Sequence, residues 1–540
     1  MDELDKKEKR LAKETKEVDM SSGDEKPIRV SRREFVKGAA VGAGALAGTS
    51  VLASCAPAAA PAPGGTADLP ATWDKEVDVV VVGFGGAGGP AAIEAADAGA
   101  SVLLLDKLEI PGGSSVISTG AFAAAGTSMQ AAEGVEDSPE KMYDFWMKAG
   151  MGVTDPELTE AICNNAKEAL EWLTDLAGGD MAVWGSISFA GSGLASEEDV
   201  IPRIHLPADM PGGAWQHAAV QKAVGERSAI ELLLETRATS LVVNADGKVV
   251  GVKATTAGEE KTFGAKRAVV LTTGDFARND EMTKAFSRES YIADKFNAPA
   301  GTGDGIIMAQ QVGAALACME GTMSGLLAPK PGDRSPRRLA ASQSILVNAK
   351  GSRYVNESDS AYWQGYRTYQ QDGNVAFGIV DNTVASQGGT ALARIFTDDL
   401  AEEIEQGYVV RANSIEELAT ACGMDPDILR GTIDMWNEDV ANGLDRLYGR
   451  TGNLVPIQEA PFFAVKLMEY TIQTHGGVRT NGKAQVLDVQ GQVISSLYAA
   501  GSTVGGFIGP FYQHSGGGIA QAYTMGRIAG QNAAAEEPWV

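Results

Sequence analysis

Cysteine and histidine are scarce in this chain, with four of each among 540 residues. The cysteines, Cys55, Cys163, Cys318 and Cys422, form no CxxC pair. The sequence therefore offers no structural zinc site, iron–sulfur cluster or CxxCH haem attachment, and no disulfide framework or metal ligand set is expected. Basic residues are in the minority too, 45 Lys and Arg against 70 Asp and Glu, for a net charge of −25. A nucleic-acid partner wants a basic face and is excluded on that ground. The acidic excess reads as a solvated surface that aids solubility. No apolar run reaches the roughly 20 residues of a membrane-spanning helix. Glycine, by contrast, is abundant (65 residues), and the 44% hydrophobic content supports a large core in two domains.

The most telling glycines lie in VDVVVVGFGGAG, Val77–Gly88. The run Val77–Val82 enters Gly83-Phe84-Gly85-Gly86-Ala87-Gly88, and an alanine-rich helical pattern follows from Pro90 to Ala98. A second apolar run, Val102–Leu105, then ends in Asp106. Strand, glycine turn, helix, strand and acid is the order a dinucleotide site requires. Gly83 permits the turn, Gly85 lets backbone approach a pyrophosphate, and Gly88 lets helix and strand pack closely. The helix N-terminus offers N–H groups to phosphates, and Asp106 can accept from a ribose hydroxyl.

Residues 1–30 are charged and lack apolar periodicity, which predicts disorder. Ser31-Arg32-Arg33-Glu34-Phe35-Val36-Lys37 and the soft apolar run to Ala53 resemble a twin-arginine export signal. Leu52-Ala53-Ser54-Cys55 resembles a lipoprotein cleavage box, which would leave Cys55 as a lipidated N-terminus at the outer face of the cytoplasmic membrane. A chance cysteine in a cleavage region is the other reading. Residues 1–54 are thus read as signal and 55–74 as a flexible linker.

Along the body, the spacing of Leu158, Ile162, Ala166, Leu170 and Leu173 predicts a helix over 158–177, and another is expected over 215–234. Thr239–Val243 and Val249–Ala254 flank Asn244-Ala245-Asp246-Gly247 as a hairpin. Ala268–Leu271 reads as a buried strand, Ile306–Ala315 as a helix opened by a glycine-rich turn, and 518–533 as a closing helix. The Pro- and Arg-rich stretch 329–338 is a plausible boundary.

With VVVGFGGAG, Gly112-Gly113-Ser114-Ser115, LTTGDF at 271–276, GTGDG at 301–305, GSRYVNE at 351–357, THGGV at 474–478 and SGGGIAQAYTMGRIAG near the end, the chain resembles a flavoprotein family. That family contains fumarate reductases, succinate dehydrogenase flavoprotein subunits and 3-ketosteroid dehydrogenases, and the resemblance covers roughly residues 75–540. It implies an α/β fold: a Rossmann-like, glutathione-reductase-like FAD-binding domain (75–335 and 466–540) interrupted by an α+β cap (336–465). It places Gly83, Gly85, Gly86, Ala87, Gly88, Asp106, Lys107, Gly112, Gly113, Ser114, Ser115, Ala238, Thr273 and Gly274 around FAD. Asp304, Gly501, Gly516, Gly518 and Ile519 complete that set; for Asp304 a plain helix N-cap is the competing reading.

The resemblance also implies chemistry on a C=C bond activated by a carbonyl or carboxylate, by hydride from the flavin N5 and a proton from a protein acid. The arginine that supplies the proton in fumarate reductases is replaced by Ala385, and the carboxylate-clamping arginine of the C-terminal loop by His514. A dicarboxylate needs charge-assisted donors, so fumarate is disfavoured. His475 resembles a substrate-binding histidine, and a satisfied structural histidine is the alternative. Tyr362, with Tyr366 as competitor, resembles the proton-transferring tyrosine of ketosteroid dehydrogenases. Tyr512 and Gly516 keep the spacing of their carbonyl-binding pair. Arg334, Arg337 and Arg338 either hold a carboxylate or form a solvated loop. The expectation is an exported FAD oxidoreductase acting on an enone or ketosteroid-like substrate; the alternatives are an acrylate-type reductase and an inert FAD-containing surface binding protein. Electrons must come from an external cytochrome, flavin protein or quinol system.

Overall fold

The computed structural model of the chain describes residues 69–179, 181–185, 201–207, 212–327, 343–359, 361–386 and 400–539. The expected signal at 1–54, Cys55, Arg334, Arg337 and Arg338 lie outside the described residues.

Valine builds the centre. In Lys75–Val82, Val79, Val80 and Val81 are fully buried, as a strand covered on both faces requires. It is the middle of five parallel strands ordered Val493–Ala499, Glu259–Leu271, Lys75–Val82, Val102–Leu105, Ile230–Leu233. A meander of Thr236–Val243 and Val249–Thr256 joins antiparallel to Glu259–Leu271. Its turn is the expected one: Asn244 N–H donates to Lys248 O at 2.9 Å, and Gly247 takes φ +80°.

The helix Pro156–Ala177 forms because Asp155 accepts from the N–H of Glu157 and Leu158, Pro156 sits in the first turn, and Gly178 closes it in the left-handed region. Leu158, Ile162, Ala166, Leu170 and Leu173 are its buried face, as their spacing predicted. The helix expected over 215–234 is instead two elements. Gly212–Gly225 is helical, and Ile230–Leu233 is a strand parallel to Val102–Leu105. The open edge of Val102–Leu105 offers a hydrogen-bonding ladder, which short-range helical periodicity cannot reveal.

The second sheet is organised by one strand of 13 residues, Phe462–Thr474. It pairs with Asp294–Lys295, Thr322–Leu327, Ala376–Val380 and Val409–Ala412, and Ile345–Asn348 adds to Ala376–Val380. Alternation divides its core between two faces. Phe463, Val465 and Leu467 pack with Leu346 and Tyr354. Phe462 and Ala464 pack with Ile345, Val347 and the helices Ile415–Cys422 and Pro426–Ala441. This is the α+β cap, but its expected limits do not coincide with element edges. The position 465/466 falls inside Phe462–Thr474, and the sheet also recruits Thr322–Leu327, because the long ladder is one hydrogen-bonded unit.

The RYVNES segment locks the cap. Arg353 donates to Glu357 at 2.7 Å and to Asp445 at 3.0 Å, and lies over the Trp436 ring at 4.6 Å. Glu357 also takes Arg450 at 3.2 Å and the N–H of Leu346 at 2.9 Å, which ties the network to the sheet.

Pairing slips in the long strand: Met323 faces Gln473, but Ser324 faces Thr471, so Ile472 is an extra residue. On the face that carries Thr471, hydroxyls interlink, with Thr322 Oγ1 2.8 Å from Thr471 Oγ1. Glu289 and Glu469 are buried in the same region. Burial pushes each carboxyl up to about 8, helped at Glu469 by the charge of Glu289. Folded values above the ordinary 4.5 mean that stability present below that value is lost as pH rises through about 8. Denaturation midpoints should therefore fall between about pH 5 and 8, and the double substitution Glu289→Gln, Glu469→Gln should flatten that slope.

Candidate functional site

A cavity of about 680 Å³ runs along the C-terminal ends of Lys75–Val82 and Val102–Leu105, where open α/β sheets bind ligands. One end is a glycine cradle. Gly83 has φ +106°, and a Cβ there would lie 2.5 Å from Thr272 O; one on Gly88 would lie 1.8 Å from Gly83 O. These two positions admit only glycine. A Cβ on Gly85 would meet nothing nearer than Gly112 O at 3.9 Å, so its backbone is open to a ligand. Gly86 N–H donates to Ser115 Oγ at 3.2 Å, and Gly112 N–H to Phe84 O at 2.8 Å, which draws the Gly113–Val116 turn, with Gly113, Ser114 and Ser115, against the cradle.

Asp106 lines this end. Its carboxylate accepts from the N–H of Phe84 at 2.7 Å and of Leu108 at 2.8 Å, and burial raises its pKa. Two backbone bonds leave lone pairs for a further hydroxyl. Asp304 is the first residue of the helix Asp304–Gln311, and Gly303, not Asp304, occupies the cap position. Its carboxylate takes Lys107 Nζ at 2.8 Å and Arg237 Nη2 at 2.8 Å. Burial raises Asp304, but bonds from Arg237 and Lys107 prevail and hold it below the usual range. Ala238 and Gly501 lie in the wall, and Gly274 N–H donates to Thr503 Oγ1 at 3.0 Å while Thr273 Oγ1 accepts from Gly305 N–H at 3.0 Å.

The other end is built on the start of the helix Gly517–Ala535. Gly516 has φ +87°, and a Cβ there would lie 2.6 Å from Ala123 N. Gly518 N–H donates to the Tyr512 hydroxyl oxygen at 3.1 Å. Burial pushes the Tyr512 phenol up, opposed by the N–H groups of Gly518, Gly516 and Gly517. Tyr362 meets Tyr512 edge-on, with centroids 5.7 Å apart. The structure thus brings Tyr362, Tyr512, Gly516, Gly518 and Ile519 together on the cavity wall. Tyr366 does not join them; it packs against Phe511 at 6.0 Å.

The two expected histidines sit behind the lining residues, the His475 ring 5.9 Å from that of Tyr512. His475 follows the end of the long strand, its Nδ1 is 3.1 Å from Gly509 O, and burial lowers it to about 3. His514 lies between Phe145 and Trp146, its Nδ1 is 2.7 Å from Ser515 O, and burial lowers it to about 4. Neither lines the cavity; Gln473 and Ser515 face it in their place. Sequence reasoning also missed Tyr470 and Met323 on this wall. The slip at Ile472 is what turns Tyr470, Ile472 and Gln473 to one side, and the mixed pattern of the strand carried no signal of it.

Residues 78–519 match the family described as FAD binding domain. The chain belongs to that family. It is 31% identical over 464 residues to a fumarate reductase (cytochrome) of Shewanella frigidimarina, covering 85% of this chain and 77% of that protein. It is 32% identical over 472 residues to the urocanate reductase of Eggerthella lenta, covering 85% and 75%. Among solved structures, the 3-ketosteroid-Δ4-(5α)-dehydrogenase of Rhodococcus jostii superposes with a TM-score of 0.74 at 29% identity, covering 87% of this chain and 99% of that one. The cofactor is FAD, and the chain is an FAD-dependent oxidoreductase.

The residues present fit that cofactor, since the open backbone at Gly85 lies between positions where a side chain has no room. Gly85→Val should fold with an unchanged circular dichroism spectrum yet bind FAD at least about tenfold more weakly, a loss of ~1.4 kcal/mol. Gly88→Ala should lower the denaturation midpoint as well, because its Cβ would meet backbone.

Proposed function

We propose that this chain reduces, or in reverse forms, a C=C bond activated by a neighbouring ketone, on an enone or ketosteroid-like substrate. One observation carries the reading. Among the described lining residues, the cations are Lys107 and Arg237, and both are engaged by Asp304 at the glycine-cradle end. The end at Tyr362 and Tyr512 is walled by phenols, an amide and apolar side chains such as Ile472 and Ile519. A neutral carbonyl suits that wall; a carboxylate does not. Ala385 and His514 stand where the family's two arginines were sought. The acrylate-type alternative relied on His475, His514 or a cap arginine; burial holds both histidines neutral and neither lines the cavity, while Arg334, Arg337 and Arg338 lie outside the described residues.

FAD, when bound and reduced by the external donor, would supply a hydride to one alkene carbon and return to its oxidised form. The protein's part is polarisation and protonation. Gly518 N–H on the Tyr512 oxygen strengthens the phenol as a donor toward the substrate's carbonyl oxygen, beside the Gly516 N–H. Tyr362, held edge-on to Tyr512, delivers the proton to the neighbouring carbon.

The twin-arginine pattern and Cys55 support export and lipid anchoring, with electrons from a cytochrome, flavin protein or quinol system. Among the described residues, no helix is long and apolar enough to cross a membrane.

The test follows reoxidation of the chemically reduced holoprotein with enones and acrylates. Enone turnover is expected, and acrylate turnover alone would overturn the reading. If no acceptor is turned over, the inert binding protein stands instead. Tyr512→Phe should lower kcat by about 100-fold or more. Because burial raises the Tyr512 phenol above its ordinary 10.0, its donor role should persist with rising pH and be lost only above pH 10.

A further inference from the structure

The cavity wall holds a polar group that neither the cradle nor the tyrosine pair uses. Tyr470 is fully buried and lines the cavity, yet its hydroxyl has no hydrogen-bond partner among the described residues. Buried hydroxyls are ordinarily paired, and one left open in a ligand cavity is aimed at a ligand. The position is built. Phe296 meets the Tyr470 ring edge-on at 5.6 Å, and Gly325 lies directly across the strand pair. A Cβ on Gly325 would come within 2.8 Å of the Tyr470 oxygen, and one on Gly365 within 3.0 Å of Gly325 Cα. Two glycines thus keep open the slot that the phenol occupies.

Its place along the strand sets a length. A Cβ on Gly518 would meet Gln473 Nε2 at 3.4 Å and the Tyr512 oxygen at 3.6 Å, so Gln473 marks the reacting end. Tyr470 is three residues back along the same strand, which at about 3.3 Å per residue puts its backbone at most roughly 10 Å away, the bulge at Ile472 shortening the span. Ile472 and Met323 make the wall between them apolar.

We propose that Tyr470 is a specificity residue that binds a second polar atom of the substrate, so that the substrate is an elongated, largely apolar molecule oxygenated at both ends. This rests on the ketone-activated reading above. The experiment compares Tyr470→Phe with the unsubstituted holoenzyme on two enones. One is a short cyclic enone with no distal oxygen; the other carries a carbonyl or hydroxyl up to roughly 10 Å from the enone, the bound set by the strand spacing. Tyr470→Phe should raise KM about tenfold for the two-ended substrate, as loss of one hydrogen bond does. It should leave the short substrate and the FAD-to-protein ratio unchanged. Equal effects on both substrates, or none, would overturn the proposal while leaving the enone reading intact. Loss of FAD from Tyr470→Phe would assign the phenol to the cofactor and overturn it as well. Failure of the unsubstituted enzyme to reduce either enone would sink the enone reading, and this proposal with it.

Discussion

The cofactor end depends on one close backbone contact between two helices. Gly526 and Gly530, one turn apart on Gly517–Ala535, lie against Ala87 and Ala91 at the start of Gly88–Asp97. A Cβ on Gly526 would stand 2.4 Å from Ala87 O, and one on Gly530 2.2 Å from Ala91 O. Only glycine allows the helices so near. Both helices begin at the cavity, so the contact fixes two N-termini, each with unpaired N–H groups and the positive end of a helix dipole, relative to one another. Thr272 adds a third restraint, donating to the carbonyls of Val82 at 2.9 Å and Gly83 at 2.8 Å. A dinucleotide has an anionic middle and an electron-accepting ring, and FAD, when bound, would find two helix starts in this frame.

The cap reaches the same cavity through a different device. Phe462–Thr474 is committed to the second sheet over nearly its whole length, and the Arg353, Glu357, Asp445 and Arg450 network ties the surrounding loops to that sheet. Removing one partner of such a buried set leaves an uncompensated charge at a cost of about 3–5 kcal/mol. The motif GSRYVNE therefore acts as a brace. The extra residue at Ile472 then aligns three neighbouring side chains with the cavity, something regular alternation cannot do.

These two devices explain what could be read from the sequence. The cradle was legible because its demands are local: a positive φ at Gly83, no Cβ at Gly88, an open Gly85, all within a dozen residues. Ile230–Leu233 was not, since its strand character comes from an edge more than 120 residues earlier in the chain. The substrate wall was misread by one or two positions, His475 for Gln473 and His514 for Ser515. A one-residue slip reverses which side chains of an extended segment face the cavity, and the extra residue at Ile472 is such a slip beside Gln473. Residue type drew attention to histidine, while the backbone slip that decides orientation leaves no compositional trace. Tyr362 and Tyr512 are found side by side on the cavity wall although 150 residues separate them, a pairing that only the tertiary fold creates.

That helix start is where the two halves of the site meet. A helix leaves about four N–H groups unbonded at its N-terminus. Here one of them, on Gly518, is given to the Tyr512 phenol. In the enone reading proposed above, the phenol would carry part of the helix's positive end toward the substrate, a polarised neutral donor in place of the cation a carboxylate site would use. Burial works in the same direction throughout, keeping His475 and His514 uncharged and Tyr512 protonated. Desolvation penalises each charged form, so a wall of this kind discriminates against ionic ligands without needing a repulsive residue. The proposed preference for a neutral carbonyl would then follow from dielectric and geometry together, not from any single catalytic side chain.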